Sequence, residues 1–121
     1  MIILRRRHFS FSDRKMISKI VEKLDKDRVD DYEVTRKIPT DVISISSDLN
    51  SVKVYIPKEF EYSQYDIDDC IRSLIPHART STVYDRDIYV MKVSMPLKLD
   101  QYCKLVKYIV EEWDFCSIIE E

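Results

Sequence analysis

The sequence of 121 residues contains no glycine at all, where average usage of about 7% would supply roughly eight. Glycine is the residue that takes positive φ without steric cost and lets a backbone approach a ligand closely. Its absence excludes a phosphate-binding loop, a dinucleotide fingerprint and a nucleophile elbow, each of which needs it at fixed positions. Nucleotide-dependent enzymes and α/β-hydrolases go with them. Histidine is nearly as scarce, with only His8 and His77. The three cysteines, Cys70, Cys103 and Cys116, are odd in number and widely spaced, with no C-x-x-C pair. No four-ligand zinc site can be assembled from them. Cys70 and Cys103 fall within apolar helical stripes and read as buried, reduced thiols, which points to a reducing compartment. A Cys70–His77 pair has two helical turns between its members and no third group to orient the base. No catalytic residue, metal ligand or cofactor is therefore assigned, and the chain is read as a non-enzyme.

Long apolar runs are also missing, and nothing approaches the roughly 20 residues that span a bilayer. Met1-Ile2-Ile3-Leu4 is too short for a signal-peptide core, and its charges follow rather than precede it. The expectation is a protein that is not secreted and has no membrane partner.

What is present is a globular balance, 45% hydrophobic and 35% charged, enough apolar surface to offset chain entropy in one domain over residues 1–121. The net charge of −2 conceals a gradient: residues 1–60 carry 13 basic and 10 acidic side chains, residues 61–121 carry 7 and 12. Arg5, Arg6, Arg7, Arg14 and Lys15 make a basic end, with His8 and Phe9 alongside. The last eleven residues hold five acids and no base. Opposite ends of opposite sign suit contacts between neighbouring copies or with another protein. The acidic total argues against nucleic acid as the partner of the basic end.

Periodicity places an apolar strand at 1–4 and an amphipathic helix over about 12–27, carrying Met16, Ile17, Ile20, Val21 and Leu24 on one face. A charged loop follows from Asp25 to Glu33 and onward to Pro39. Segments 42–46 and 52–56 pair as a hairpin across Ser47-Asp48-Leu49-Asn50-Ser51, with Val52, Val54 and Ile56 on the buried face and Lys53 and Tyr55 partly wet, giving a sheet open on one side. Ser63-Gln64-Tyr65-Asp66 matches a capping box, and Ile67, Cys70, Ile71 and Leu74 continue a second helix to Pro76. Strands 80–84 and 88–95 flank Asp85-Arg86-Asp87, with Tyr89, Met91, Val93 and Met95 on one face. The last helix, about 99–114, stripes Tyr102, Leu105, Val106, Ile109, Val110 and Trp113. The result is an α+β domain of order β-α-ββ-α-ββ-α, ferredoxin-like or related. Its mainly antiparallel sheet has four to five strands, with three helices mostly on one face.

The strongest functional signal is Glu59-Phe60-Glu61-Tyr62-Ser63-Gln64-Tyr65-Asp66, extended by Asp68 and Asp69. Tyrosine buries a large area while keeping a polar tip, which is why it is enriched at protein interfaces. Glu59, Glu61, Tyr62, Tyr65, Asp66, Asp68 and Asp69 are the expected binding surface for a partner bearing Arg or Lys. A metal site is not expected there, because Asp68 points away from Asp66 and Asp69 and no glycine permits a calcium-loop turn.

The opening Met1-Ile2-Ile3-Leu4-Arg5-Arg6-Arg7-His8-Phe9-Ser10 resembles the starts of small proteins encoded by bacteriophages of gut bacteria, several of them virion components. The resemblance covers about a tenth of the chain. It implies a viral protein made inside a cell, located in the host cytoplasm or the virion, and acting as an assembly or virion subunit through protein partners, its own copies among them. The alternative expectation is an anti-CRISPR-like inhibitor of a host defence nuclease, in which Glu59, Glu61, Asp66, Asp68 and Asp69 mimic phosphates.

Overall fold

A computed structural model describes residues 11–47, 52–95 and 97–120, without the side chains of 11–16 and Ser47. The expected strand at 1–4, the basic residues Arg5, Arg6 and Arg7, and the turn around 48–51 lie outside the described residues. The elements run α1 (Phe11–Lys26), β1 (Tyr32–Thr35), β2 (Ser44–Ser47), β3 (Val52–Pro57), a 3-10 turn (Lys58–Phe60), α2 (Ser63–Leu74), β4 (Thr80–Asp85), β5 (Ile88–Val93), α3 (Leu99–Trp113) and β6 (Cys116–Ile119).

The α+β class holds, with six strands in the order β1-β6-β2-β3-β5-β4 rather than four or five. The β2–β3, β3–β5 and β4–β5 pairs are antiparallel, as hairpin-type neighbours must be. The β1–β6 and β2–β6 pairs are parallel, an arrangement that only chain-distant segments can make. Two strands depart from expectation. Tyr32–Thr35 lies within the segment read as loop, and Cys116–Ile119, beyond the last helix, forms a strand inside the sheet.

The helices share one sheet face. Ile20 and Leu24 of α1, Ile67 and Ile71 of α2, and Tyr102, Leu105, Val106 and Ile109 of α3 join one cluster with Ile45, Val54, Ile56, Met91, Val93 and Ile118. Each of these is essentially inaccessible, and full burial of one such side chain contributes about 1.5–3 kcal/mol. Two predicted positions move. Met95 lies past the end of β5 and is exposed, and Tyr55 is buried, as are Ser44, Ser46, Ser117 and Ile119 on the face away from the helices. The centre of the sheet is thus closed on both sides, not open on one. Residues 36–43 contribute to this topology: β1 and β2 both run parallel to the β6 between them, so the connection must carry the chain back past β6.

Without glycine, four other residues among those described take positive φ: Arg28 (58°), Arg86 (50°), Asp87 (69°) and Asp114 (68°). Arg28 ends α1, where the Val29 N–H donates to the Leu24 carbonyl at 3.0 Å. Asp114 ends α3 in the left-handed conformation and redirects the chain into β6. Arg86 and Asp87 form the two-residue β4–β5 turn, where positive φ at both positions matches the strand twist.

Candidate acidic and aromatic interface

Strand β3 ends at Pro57, and the 3-10 turn after it runs almost without a break into α2. Tyr62 already has helical φ and ψ of −73° and −16°, so the expected capping box does not form: Ser63 is the first helical residue and its hydroxyl donates to the Phe60 carbonyl. Gln64 also turns backward, its side-chain amide donating to the Glu61 carbonyl at 2.8 Å. These local bonds hold the 59–65 segment against the end of the sheet. The Lys58 N–H donates to the Asp87 carbonyl at 3.0 Å, bringing the segment against the β4–β5 turn.

An open cavity of about 550 Å³ results, lined by Thr40, Lys58, Glu59, Glu61, Tyr62 and Asp87. Its rim is tied by phenols. Tyr89 donates to Glu61 Oε2 at 2.9 Å and Tyr84 to Asp87 Oδ1 at 2.8 Å, while the two rings pack 4.8 Å apart at 54°. Each carboxylate raises the pKa of the phenol that donates to it, so both tyrosines hold their protons more firmly than usual.

Tyr62 and Tyr65 project outward, 79% and 72% exposed, and are the most exposed large hydrophobic side chains among the described residues. Glu59, Asp66 and Asp69 are exposed beside them and make no ion pair among the described residues. Asp68 differs. It accepts a hydrogen bond from the Thr80 hydroxyl and pairs with Arg72 at 3.1 Å, so it ties α2 to β4 and faces inward. The structure thus brings Glu59, Glu61 and Tyr62 together at the cavity and sets Tyr65, Asp66 and Asp69 along α2, with Asp68 turned to a structural task.

The fold adds residues that sequence alone did not join to this surface. Tyr108 of α3 lies within electrostatic reach of Asp66, Glu112 and Asp69; partial burial first, and then these carboxylates, push its pKa up. Trp113 meets Tyr108 edge-on at 5.7 Å. Tyr84, Asp87 and Tyr89 extend the surface on the other side of Glu61. Spacing on α3 carries this signal, since Tyr108 and Glu112 are one turn apart, but only the packing of α3 beside α2 brings them next to Asp66.

Burial raises the pKa of Cys70, Cys103 and Cys116, keeping them as thiols. His77 is exposed after α2. Among the described residues no group of three or more His, Cys, Asp or Glu could hold a metal ion, and no helix is long and apolar enough to cross a membrane. Of the basic end, Arg14 and Lys15 belong to the backbone of α1. Comparison with family models, curated proteins and solved structures returned no match.

Proposed function

We propose that this chain is a non-enzymatic interaction protein, a bacteriophage virion or assembly subunit of the host cytoplasm or particle, whose surface around Tyr62 and Tyr65 docks onto a basic protein surface. The observation that carries the reading is the exposure of those two tyrosines among carboxylates left without cations by the described residues. Rigid phenol rings on a helix and its preceding turn bury much area at little entropic cost. Unpaired carboxylates around them select Arg and Lys on the partner and speed encounter. The raised pKa values of the three thiols support the non-enzymatic side of the reading, because a thiol that keeps its proton is a poor nucleophile. Arg5, Arg6, Arg7, Arg14 and Lys15 form a second contact, suited to the acidic surface of a neighbouring subunit.

The test is a photo-crosslinking amino acid placed at position 62 or 65 of the protein expressed in its own host. Both positions are expected to yield a discrete adduct with one protein species, a particle component. The yield should drop when Glu59, Glu61, Asp66 and Asp69 are changed to the corresponding amides. A crosslinker at exposed Asp30 should give no such adduct. Absence of an adduct from both tyrosine positions would overturn the proposal. The same exposed carboxylates support a second reading, phosphate mimicry toward a defence nuclease. In that case the adduct would be a nuclease, and the amide variant would no longer block its action on nucleic acid.

A further inference from the structure

We propose that two copies of this chain associate through their β4 strands, edge to edge and antiparallel about a two-fold axis, extending the sheet across both copies. The sheet ends at β4, which pairs with β5 alone among the described strands. All six of its residues are in register with β5, from Thr80 opposite Val93 to Asp85 opposite Ile88, so no bulge twists the edge away. The backbone of Arg79 faces β5: its carbonyl accepts from the Ser94 N–H at 2.9 Å, and its N–H donates to the Ser94 hydroxyl at 2.9 Å. Since direction alternates along a strand, Thr80, Thr82 and Tyr84 turn their N–H and C=O groups outward.

The two edges of the sheet are guarded differently. β1 holds only four residues, with Glu33 inside it and Asp30, Asp31, Arg36 and Lys37 flanking it. Short length and charge are the usual protections of an edge. β4, of sequence Thr-Ser-Thr-Val-Tyr-Asp, has neither Lys nor Pro, and Val83 and Tyr84 stand 64% and 48% exposed.

Charge selects the occupant. With Thr82 on the two-fold axis, Thr80 faces Tyr84 of the second copy and Thr82 faces its own counterpart. All the outward backbone groups of the strand then meet outward groups. The same register sets Arg79 opposite Asp85 of the second copy, and Asp85 opposite its Arg79. Neither residue makes an ion pair among the described residues. No like charges face each other from Arg79 to Asp85. A copy of β4 therefore complements β4 in hydrogen bonding, in side-chain character and at both charged ends. This contact is separate from the N-terminal basic end and from Glu59, Glu61, Tyr62 and Tyr65, and it meets the acidic surface at Tyr84 alone.

The experiment is light scattering after size exclusion on the full chain, together with Thr82→Pro, which removes an outward N–H and no bond to β5. The wild type is expected at twice the chain mass of 14.5 kDa, and Thr82→Pro at the chain mass with an unchanged circular dichroism spectrum. Arg79→Asp should weaken association about tenfold, and adding Asp85→Arg should restore it. Reversal of Arg5, Arg6 and Arg7 should leave this dimer intact, which separates it from a charge-driven contact of the N-terminal end. Thr82→Cys supplies a readout independent of the proline variant's folding: paired residues on the axis lie within disulfide reach, so oxidation should give a covalent dimer, and Ser81→Cys should give none. A monomer at all accessible concentrations would overturn the proposal. So would a dimer that shows no Thr82→Cys cross-link.

Discussion

Strands β6 and β4 mark the extremes of one sheet. β6 lies between two parallel neighbours with all four residues buried, whereas β4 pairs on one side among the described strands and exposes every residue after Thr80. The amides of β6 and its flank are spoken for on both sides: Cys116 donates to Asp31, Ser117 to Ile43 and Glu120 to Thr35. The contrast separates two tasks. The β1-β6-β2 side, packed under α3, holds the fold together. The β5-β4 side, together with the turn and helix beside it, presents tyrosines, carboxylates and backbone groups that no other described strand pairs.

The largest expected effect breaks the core half. Ile118→Ala, in a side chain with no accessible surface, should destabilise the protein by about 3 kcal/mol, whereas Val83→Ala on the exposed half should stay within about 0.5 kcal/mol. Chemical denaturation of the two variants measures both. Equal losses would erase the distinction.

Asp68 sharpens it, because it ties the outer half to α2 through Thr80 and Arg72. Asp68→Ala should cost about 1–2 kcal/mol, by loss of charge-assisted hydrogen bonding. A double-mutant cycle with Thr80→Val should recover most of that as coupling. Changing exposed Asp66 or Asp69 to Ala should instead affect binding and leave stability nearly unaltered.

Left-handed positions offer a gain. Asp114→Gly, at the turn leading into β6, and Arg28→Gly, at the end of α1, should each stabilise by about 0.5–1 kcal/mol, since a side chain in that conformation is strained and glycine is not. The check is the thermal midpoint of each variant. Asp87→Gly should not gain, as it gives up the bond from Tyr84.

The smallest effects depend on pH. The Tyr32 hydroxyl donates to Asp25 Oδ1 at 2.6 Å, and burial, then that carboxylate, push its pKa up to about 12 from 10.0. A raised pKa means that its contribution is complete below pH 10 and is lost as pH climbs through about 12. Tyr32→Phe should therefore flatten the alkaline limb of unfolding. On the opposite side, the Lys23 hydrogen bond lowers the pKa of Asp100 below 3.8, so that contribution is present above the ordinary carboxylate value and fades as pH falls through the lowered one. Asp100→Asn should lower stability slightly at neutral pH and flatten the acid limb of unfolding.

Local patterns made much of the outer half legible. The β4–β5 hairpin follows from two β-rich segments around Asp85-Arg86-Asp87, and all three helices follow from apolar spacing. In the inner half β2 was read from its hairpin with β3, but β1 and β6 escaped because their pairing is distant in sequence. Cys116-Ser117-Ile118-Ile119 is four residues long with no alternation, since both of its faces are buried. It becomes a strand only when Tyr32–Thr35 and Ser44–Ser47 flank it. Tyr32–Thr35 is masked by the charges on either side. The acidic surface was readable as a contiguous run, with Asp68 already turned from Asp66 and Asp69 by helical spacing. Thr80 as the partner of Asp68, and Tyr108, Glu112 and Trp113 as neighbours of the surface, depend on packing that no local pattern specifies.

Residue-resolved native-state hydrogen exchange, at a concentration low enough to keep copies apart, tests the division between the two halves most directly. The Ser117 and Glu120 amides should exchange only through global unfolding, and those of Thr82 and Tyr84 orders of magnitude faster. Comparable protection at both sites would contradict it.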